Sequence, residues 1–337
     1  MTTTLLVQAD SAAATPTRGR RGNRWLRFFL RRTGRMLIAM LVIVTAAFLV
    51  LRWAGGDPVR SALGATADES VVQARRDQLG LNDPLIVQFF NYLGGLFRGD
   101  FGVSLITGRS VSELVQNRLP ATLELAGIAF LVVLLIAIPV GLAVAILTQG
   151  MRRRGTELAF TGISGFIAAI PEYLLGVALV IVFAITFQIF PVAGRGTPAS
   201  YVLPVLALSI GSAASLSRIA RVEALNTLKE DYVRTARSKR LPAWMIYFRH
   251  ALPNMLTATL TLGGTLLATM IASSVLVEQV FNWPGLGTAF VQAIVSKDYG
   301  IVQGLALVYA AIILVINLIV DIVIAILDRR TTLLETA

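Results

Sequence analysis

The chain has 337 residues, 55% of them hydrophobic and 15% charged, with a mean hydropathy of +0.73. A soluble domain carries about 25% charged residues, so a buried core cannot account for the deficit, and the chain is an integral membrane protein. Zero Cys excludes a disulfide scaffold, and with one His it leaves too few soft ligands for a structural zinc, a haem thiolate or an iron–sulfur cluster. The net charge of +11 points to nucleic acid only if membrane topology does not explain it.

In chain order, residues 1–30 read as a basic tail. Up to residue 23 it is rich in Ala, Thr, Arg and Gly without periodicity, so no structure is expected there. Six long stretches almost free of Asp, Glu, Lys and Arg then approach the ~20 apolar residues a spanning helix needs. They cover residues 36–53, 123–149, 158–187, 200–217, 256–277 and 302–327. Helices are required because lipid offers no partner to a free backbone N–H or C=O, and no period-2 alternation marks a barrel. The first stretch is too long for a signal sequence and lacks a small-residue cleavage site, so it reads as a retained helix.

Lys and Arg stay on the cytoplasmic side of membrane segments. With the N-terminus inside, 21 of the 30 basic residues fall in inner segments, at 18–35, 152–154, 218–249 and 329–330, and nine fall outside. The charge is thus a topology signal, both termini are expected inside, and no nucleic-acid partner is expected.

Two connections are too long to be turns. In the outer one, residues 54–122, Asp68 can cap a short helix running to Leu79, and Pro84 starts another over 85–97. The latter holds Phe89, Phe90, Tyr92, Leu93, Leu96 and Phe97 with almost no charge. It suits the lipid headgroup region or packing on the spans, as a plain cap or a docking surface. In the inner connection, 218–253, spacing predicts helices over 222–237 and 243–250, with Pro242 near the start of the second. Leu225, Leu228, Tyr232 and Ala236 recur at helical steps as one face for a partner groove, with Lys229, Arg234, Arg237, Lys239 and Arg240 solvated or meeting acids. A basic loop that only enforces topology is the other reading.

The dipeptide Gly-Lys is absent, so no phosphate-cradling G-x-x-x-x-G-K-[ST] loop exists. Neither H-E-x-x-H, G-x-S-x-G nor a Cys nucleophile is found. Ionisable groups within a span are costly and mark candidate sites. Glu172, after Pro171, either faces a watery path and meets a cationic group of substrate, or pairs with a polar neighbour. Glu124 and Asp321 lie nearer span ends and are expected to reach an interface, Asn317 to bond across helices, and His250 to be a contact or surface residue. Pro139, Pro171 and Gly176 are candidate bends. Phe281, Trp283, Pro284 and Gly285 follow the fifth span, where Trp favours the interface and Pro-Gly forces a turn, so a re-entrant or interfacial corner is expected.

The run DYVRTARSKRLPAWMIYFRHALPN at 231–254 resembles the inner loop of ABC importer permeases, in the form found in dipeptide, oligopeptide and nickel permeases. Further stretches resemble the same family: GGDPV at 55–59, LGLNDPLIVQFFNYLGGLFRGDFGVS at 79–104, RLPATLELA at 118–126, VEQVFNWPGLG at 277–287 and DYGIVQG at 298–304. The resemblance spans about 31–330.

It implies an all-α integral membrane protein of six transmembrane helices, with the type I ABC importer permease (MetI-like) architecture. The chain would divide into the tail 1–30, the first helix and outer region 31–122, a core 123–330 containing the loop 218–253, and a tail 331–337. It would be a non-catalytic subunit without cofactor, paired with a second homologous permease. Its partners would be ATP-binding subunits inside, which hold ATP and Mg and hydrolyse it, and an extracytoplasmic solute-binding protein. The location implied is the bacterial inner membrane. Arg234, Thr235, Ala236, Leu252 and Pro253 fall on characteristic loop positions, and Tyr232, Arg237, Lys239 and Arg240 complete the implied ATPase-coupling set. Glu172, Phe281, Trp283 and Pro284 are the candidates for the translocation pathway or outer gate. Arg240 replaces the usual glycine, which leaves the shape of that turn open, and Arg234 stands where the general pattern has Glu. Peptides are the implied cargo, with nickel chelates, glutathione or oligosaccharides as alternatives. A self-sufficient channel or ion-driven carrier would show charge relays and internal repeats, and an intramembrane enzyme would need a nucleophile–base set. Neither pattern is visible.

Overall fold

The computed structural model describes residues 22–54, 57–64, 66–151 and 153–327. Most of the tail expected to lack structure, and all of 331–337, lie outside the described residues. The first helix already begins at Gly22, so residues 22–30 are helical. This helix, α1 (Gly22–Ala54), has 33 residues, about 50 Å at 1.5 Å per residue, longer than a bilayer core.

A cap of short helices follows. α2 (Pro58–Leu63) starts with Pro at its first turn, and the Asp57 carboxylate accepts from the Val59 N–H at 3.0 Å. α3 (Glu69–Gln78) is capped by Asp68, which accepts from the Ser70 N–H at 2.9 Å. α4 (Leu85–Phe97) starts after Pro84, and both expected outer helices are present. Arg76 of α3 forms an ion pair with Asp57. Burial disfavours the Asp57 carboxylate, but Arg76 and the N–H groups of Val59 and Arg60 outweigh it and hold the group below its ordinary value.

The remaining helices form the core. α5 (Val111–Thr148) runs 38 residues, its Ser110 cap accepting from the Glu113 N–H at 3.1 Å, and it passes through Pro120 and Pro139. α6 (Arg154–Ala169) and α7 (Glu172–Leu179), which continues as a π-turn over Val180–Thr186, meet at 89°. The break is at Pro171, since the residue before a proline is driven to extended backbone and Ile170 has ψ 121°. Then come α8 (Ala199–Thr227), α9 (Asp231–Ser238), a π-turn over Met245–Ala251 that leads into α10 (Leu252–Val280), α11 (Leu286–Val295) and α12 (Tyr299–Leu327).

Among the described residues, five helices are long and apolar enough to span a membrane. The bent α6–α7 pair supplies the sixth crossing. Glu157 on α6 meets Arg221, near the end of α8, at 2.7 Å. Beyond α7, at the opposite end of the bundle, the Gly194 N–H donates to the carbonyl of Phe281, just past α10, at 2.9 Å. The pair therefore crosses once, as a broken span rather than a re-entrant loop.

α5 and α8 form the central seam. Ala137, Gly141 and Ala145 recur every four residues on α5 and are fully or nearly fully buried against Ser217, Ala220 and Ala224 of α8. A Cβ at Gly141 would lie 2.5 Å from the Ala220 Cβ and 2.8 Å from the Ser217 carbonyl oxygen. Small residues are what allow helix backbones to approach this closely where no hydrophobic force drives helices together. α10 packs on α8, α12 on α10, and α1 on α12. Arg32 of α1 and Asp321 of α12 form an ion pair, placing Asp321 near a helix end as expected.

Gly141→Ala is expected to cost about 1–3 kcal/mol through overpacking. Gly127→Ala on the same helix, where a Cβ meets nothing within 4 Å, is expected to gain up to about 1 kcal/mol of helix propensity. Thermal melting of the two purified variants checks this, and equal shifts would remove the seam from its central position.

Candidate functional site

The first candidate site lies where α8, α9 and α10 meet. α8 stops at Thr227, and the chain turns through Leu228–Glu230 on bonds from the Lys229 N–H to Asn226 O (3.1 Å) and the Glu230 N–H to Thr227 O (3.2 Å). The predicted helix over 222–237 is thus two helices. Val233 and Ala236 of α9 pack with Leu228, Ile246 and Ala251, and Leu241 and Tyr247 close the cluster. The predicted helix over 243–250 is instead the wide-turned start of α10.

α9 ends in a Schellman arrangement. The Leu241 N–H donates to Ala236 O at 3.2 Å and the Arg240 N–H to Arg237 O at 2.9 Å, with Arg240 at φ 53°. Arginine therefore adopts the left-handed turn at the position where the resemblance leads to an expectation of glycine. The turn is fixed by its two hydrogen bonds and by the partly buried Leu241, which packs in the cluster with Ala236.

One face of this unit is covered and the other is open. Leu228 and Ala236, expected on a partner-facing stripe with Leu225 and Tyr232, are 4% and 5% exposed and hold α9 to its own chain. Leu225 packs beside the cluster of Leu142, Ala145, Ala220, Ala224 and Met255. Tyr232 alone of the four is exposed, and burial together with the Glu230 charge pushes its hydroxyl above the ordinary value, against an Asn254 contact. Around it Arg234, Arg237, Lys239 and Arg240 are exposed, with Trp244 and Phe248. Arg234 reaches Asp231 at 3.5 Å in full solvent, where such a pair adds little. The Thr235 hydroxyl donates to Asp231 O at 3.0 Å within its own helix. Leu252 is partly buried at the start of α10, and Pro253, in its first turn, is exposed.

Two polar clamps join this unit to the bundle, and neither was visible as a motif. Gln149, just past α5, accepts from Arg237 at 3.0 Å and donates to the Tyr247 hydroxyl at 3.3 Å. Arg221 on α8 meets Glu157 at 2.7 Å and donates to the Thr148 hydroxyl at 3.3 Å.

The second candidate lies at the other end. Phe281 and Trp283 are 1% and 0% exposed, so the Trp is not at an interface: its Nε1–H donates to Ala121 O on α5 at 3.0 Å. Pro284 is exposed. Behind the corner sits Glu278, fully buried, accepting from the Gly287 N–H at 2.7 Å and lying 3.4 Å from the Ser274 hydroxyl. A Cβ on Gly285 would lie 2.2 Å from its Oε2, so the turn over the carboxylate requires glycine. The Leu286 N–H donates to the Thr122 hydroxyl at 2.8 Å, and α11 starts there. The sequence reading missed Glu278 because the charge-free stretch ended one residue earlier, although it lies within the quoted VEQVFNWPGLG.

Glu124 reaches the adjoining loop as expected. It pairs with Arg195 and accepts from the Tyr201 hydroxyl at 2.9 Å. The Arg195 guanidinium lies 6.0 Å from the Trp283 ring centre, and Tyr201 meets that ring edge-on at 4.8 Å. Glu172 is partly buried in the first turn of α7, just past the break, with Ser273 of α10 as its hydrogen-bond neighbour. A helix start also favours a carboxylate there.

Arg240→Gly is expected to raise the melting midpoint. It relieves about 1–2 kcal/mol of left-handed strain against about 0.5–1 kcal/mol of added unfolded-state entropy. A lowered midpoint would show that the Arg240 side chain, rather than the backbone turn, holds the corner.

Residues 137–333 match the family described as binding-protein-dependent transport system inner membrane component, and residues 25–126 match its N-terminal region. The oligopeptide transport system permease protein AppB of Bacillus subtilis is 35% identical over 90% of this chain and 98% of its own length. The glutathione transport system permease protein GsiC of Salmonella typhimurium is 34% identical over 89% and 97%. Among solved structures, the MetNI methionine ABC transporter in an inward-facing form shares the fold, with a TM-score of 0.51 at 17% identity over 64% of this chain and 96% of that one. The chain therefore belongs to the binding-protein-dependent transport system inner membrane components, the multi-pass permease subunits of ABC importers.

Proposed function

We propose that this chain is one of two permease subunits of an importer that carries peptides, delivered by an extracytoplasmic solute-binding protein and driven by ATPase subunits bound at α9. Both termini lie in the cytoplasm of a bacterial cell, since 21 of 30 basic residues belong to segments at that end. The observation that carries the reading is the open face of α9. Tyr232, Arg234, Lys239 and Arg240 point away from a unit whose other face is sealed by Val233 and Ala236.

ATP binding closes the cleft between the partner subunits and shifts α9. Because α9 is fixed to the start of α10 and, through Gln149, to the end of α5, the shift reaches both helices and opens the pathway outward for solute. ATP and Mg stay with the partners. Glu172 at the broken span and Pro284 at the outer corner are the groups we assign to the pathway, with Phe281 and Trp283 holding the corner from behind. The oligopeptide and glutathione relatives support a peptide cargo, glutathione being itself a tripeptide.

The test is receptor-stimulated ATP hydrolysis by the reconstituted assembly, with the solute in the co-purified receptor identified by mass spectrometry. Arg234→Ala with Lys239→Ala is expected to weaken association with the ATPase on the order of tenfold, as for truncated interface anchors. Arg237→Ala, whose guanidinium is held by Gln149, is expected to preserve association and reduce transport per ATP. Unchanged stimulation in the double variant would refute the coupling role.

A further inference from the structure

α4 is built inside out for a helix in water. Its most exposed residues are apolar: Ile86 is 72% exposed, Phe90 65% and Phe97 91%. With Leu93 they recur at steps of four, three and four, which is a single helical stripe. The opposite side carries Gln88, Asn91 and Tyr92, of which Asn91 is exposed. Gln88 is 8% exposed, and its amide donates to the carbonyls of Leu81 (3.0 Å) and Asp83 (2.6 Å). Burial pushes the Tyr92 hydroxyl up to about 12. No charge occurs over the 13 residues of the helix, and Asp83 and Arg98 stand just beyond its two ends.

α4 is also fixed at a definite height. Phe48, near the outer end of α1, meets the rings of Phe89 at 5.4 Å and Tyr92 at 6.0 Å. Lower on α1, Leu37, Ile38, Leu41 and Val42 are 52–64% exposed, as a surface against lipid tails must be. The α4 stripe thus continues the lipid-facing surface of a span at the level where that span ends.

We propose that α4 lies in the membrane interface beside α1, with Ile86, Phe90 and Phe97 inserted among the headgroups and upper acyl chains of the adjacent leaflet. An uncharged helix with a wide apolar face binds there by burying that face. The occupant is lipid rather than a protein, because the stripe runs on from a lipid-facing span and no charged residue occurs between Asp83 and Arg98 to mix with its apolar side chains as charges do on a protein interface. The cap is thereby held at a fixed depth, which sets the level at which an external partner can sit.

The chain has no native cysteine, so single labels need no background removal. Ile86→Cys, Phe90→Cys and Phe97→Cys are made separately in the full chain, each checked for an unaltered gel-filtration profile, nitroxide-labelled and placed in phosphatidylethanolamine–phosphatidylglycerol nanodiscs. Ala74→Cys on α3, which is exposed, is the aqueous reference. Oxygen is expected to collide with the three stripe labels more often than a water-soluble nickel chelate does, with the order reversed at position 74. Two results overturn the proposal: a chelate preference at the stripe, which means water, or exclusion of both reagents, which means a covering protein. Three independent positions keep the test decisive if one variant does not fold.

Discussion

Lipid gives two apolar helices no reason to prefer each other over acyl chains, so this bundle depends on how closely α5 and α8 can approach. Gly141 is the limiting point, where even one added carbon would overlap the backbone of α8. With Ala137 and Ala145 on one helix and Ala220 and Ala224 on the other, the seam gains dispersion contacts that bulkier side chains would forfeit. α10 packs on α8 and the broken α6–α7 span lies against it as well, so the position of each depends on that central distance.

The polar groups of the bundle are concentrated at the ends of the seam. At one end Arg221 joins α8 to Glu157 of α6 and Thr148 of α5. At the other, Trp283 and Thr122 tie the corner to α5, while Glu278 meets backbone N–H groups of α11. Leaving a buried polar group without its partner costs about 1–3 kcal/mol, so each set resists sliding of the helices along the seam. The middle is held by shape alone.

This division explains what the sequence disclosed. The spans were legible because lipid demands long charge-free runs, and α3 and α4 because Asp68 and Pro84 are local start signals. Helix ends outside the apolar runs were not: α5 begins twelve residues before residue 123 because the Ser110–Glu113 cap starts it in the cap region. α11 has no signal of its own, since its start is fixed by Thr122 of the distant α5 together with Glu278 at the end of α10. At α9 helical spacing identified a face but not its direction. Leu228 and Ala236 turned inward because Ile246 and Ala251 of the following turn needed covering, and periodicity within one helix carries no information about a neighbouring element. The family resemblance points to the same segment but leaves the Arg240 turn open, and hydrogen bonds formed only in the folded chain close it.

The corner at α9 has a mechanical consequence. α9 does not connect to α10 through a slack loop. Its Schellman end packs Leu241 beneath Tyr247 and Ile246, and those residues belong to the π-turn from which α10 continues without interruption. A π-turn is the one place in such a helix where the usual i to i−4 bonds are already replaced, which makes local rewinding less costly there than elsewhere. The Gln149 clamp gives α5 a second attachment, through a pair of hydrogen bonds instead of packed carbon. In the proposed coupling a displacement of α9 reaches α10 through close packing, and α5 both through the Gln149 bonds and through the contacts of Leu142 and Ala145 with Met255 at the start of α10. Under that proposal α5 and the start of α10, which pack on α8 and on each other, take up the displacement together at one end of the seam, while the hydrogen bonds of Trp283 and Thr122 hold the other end.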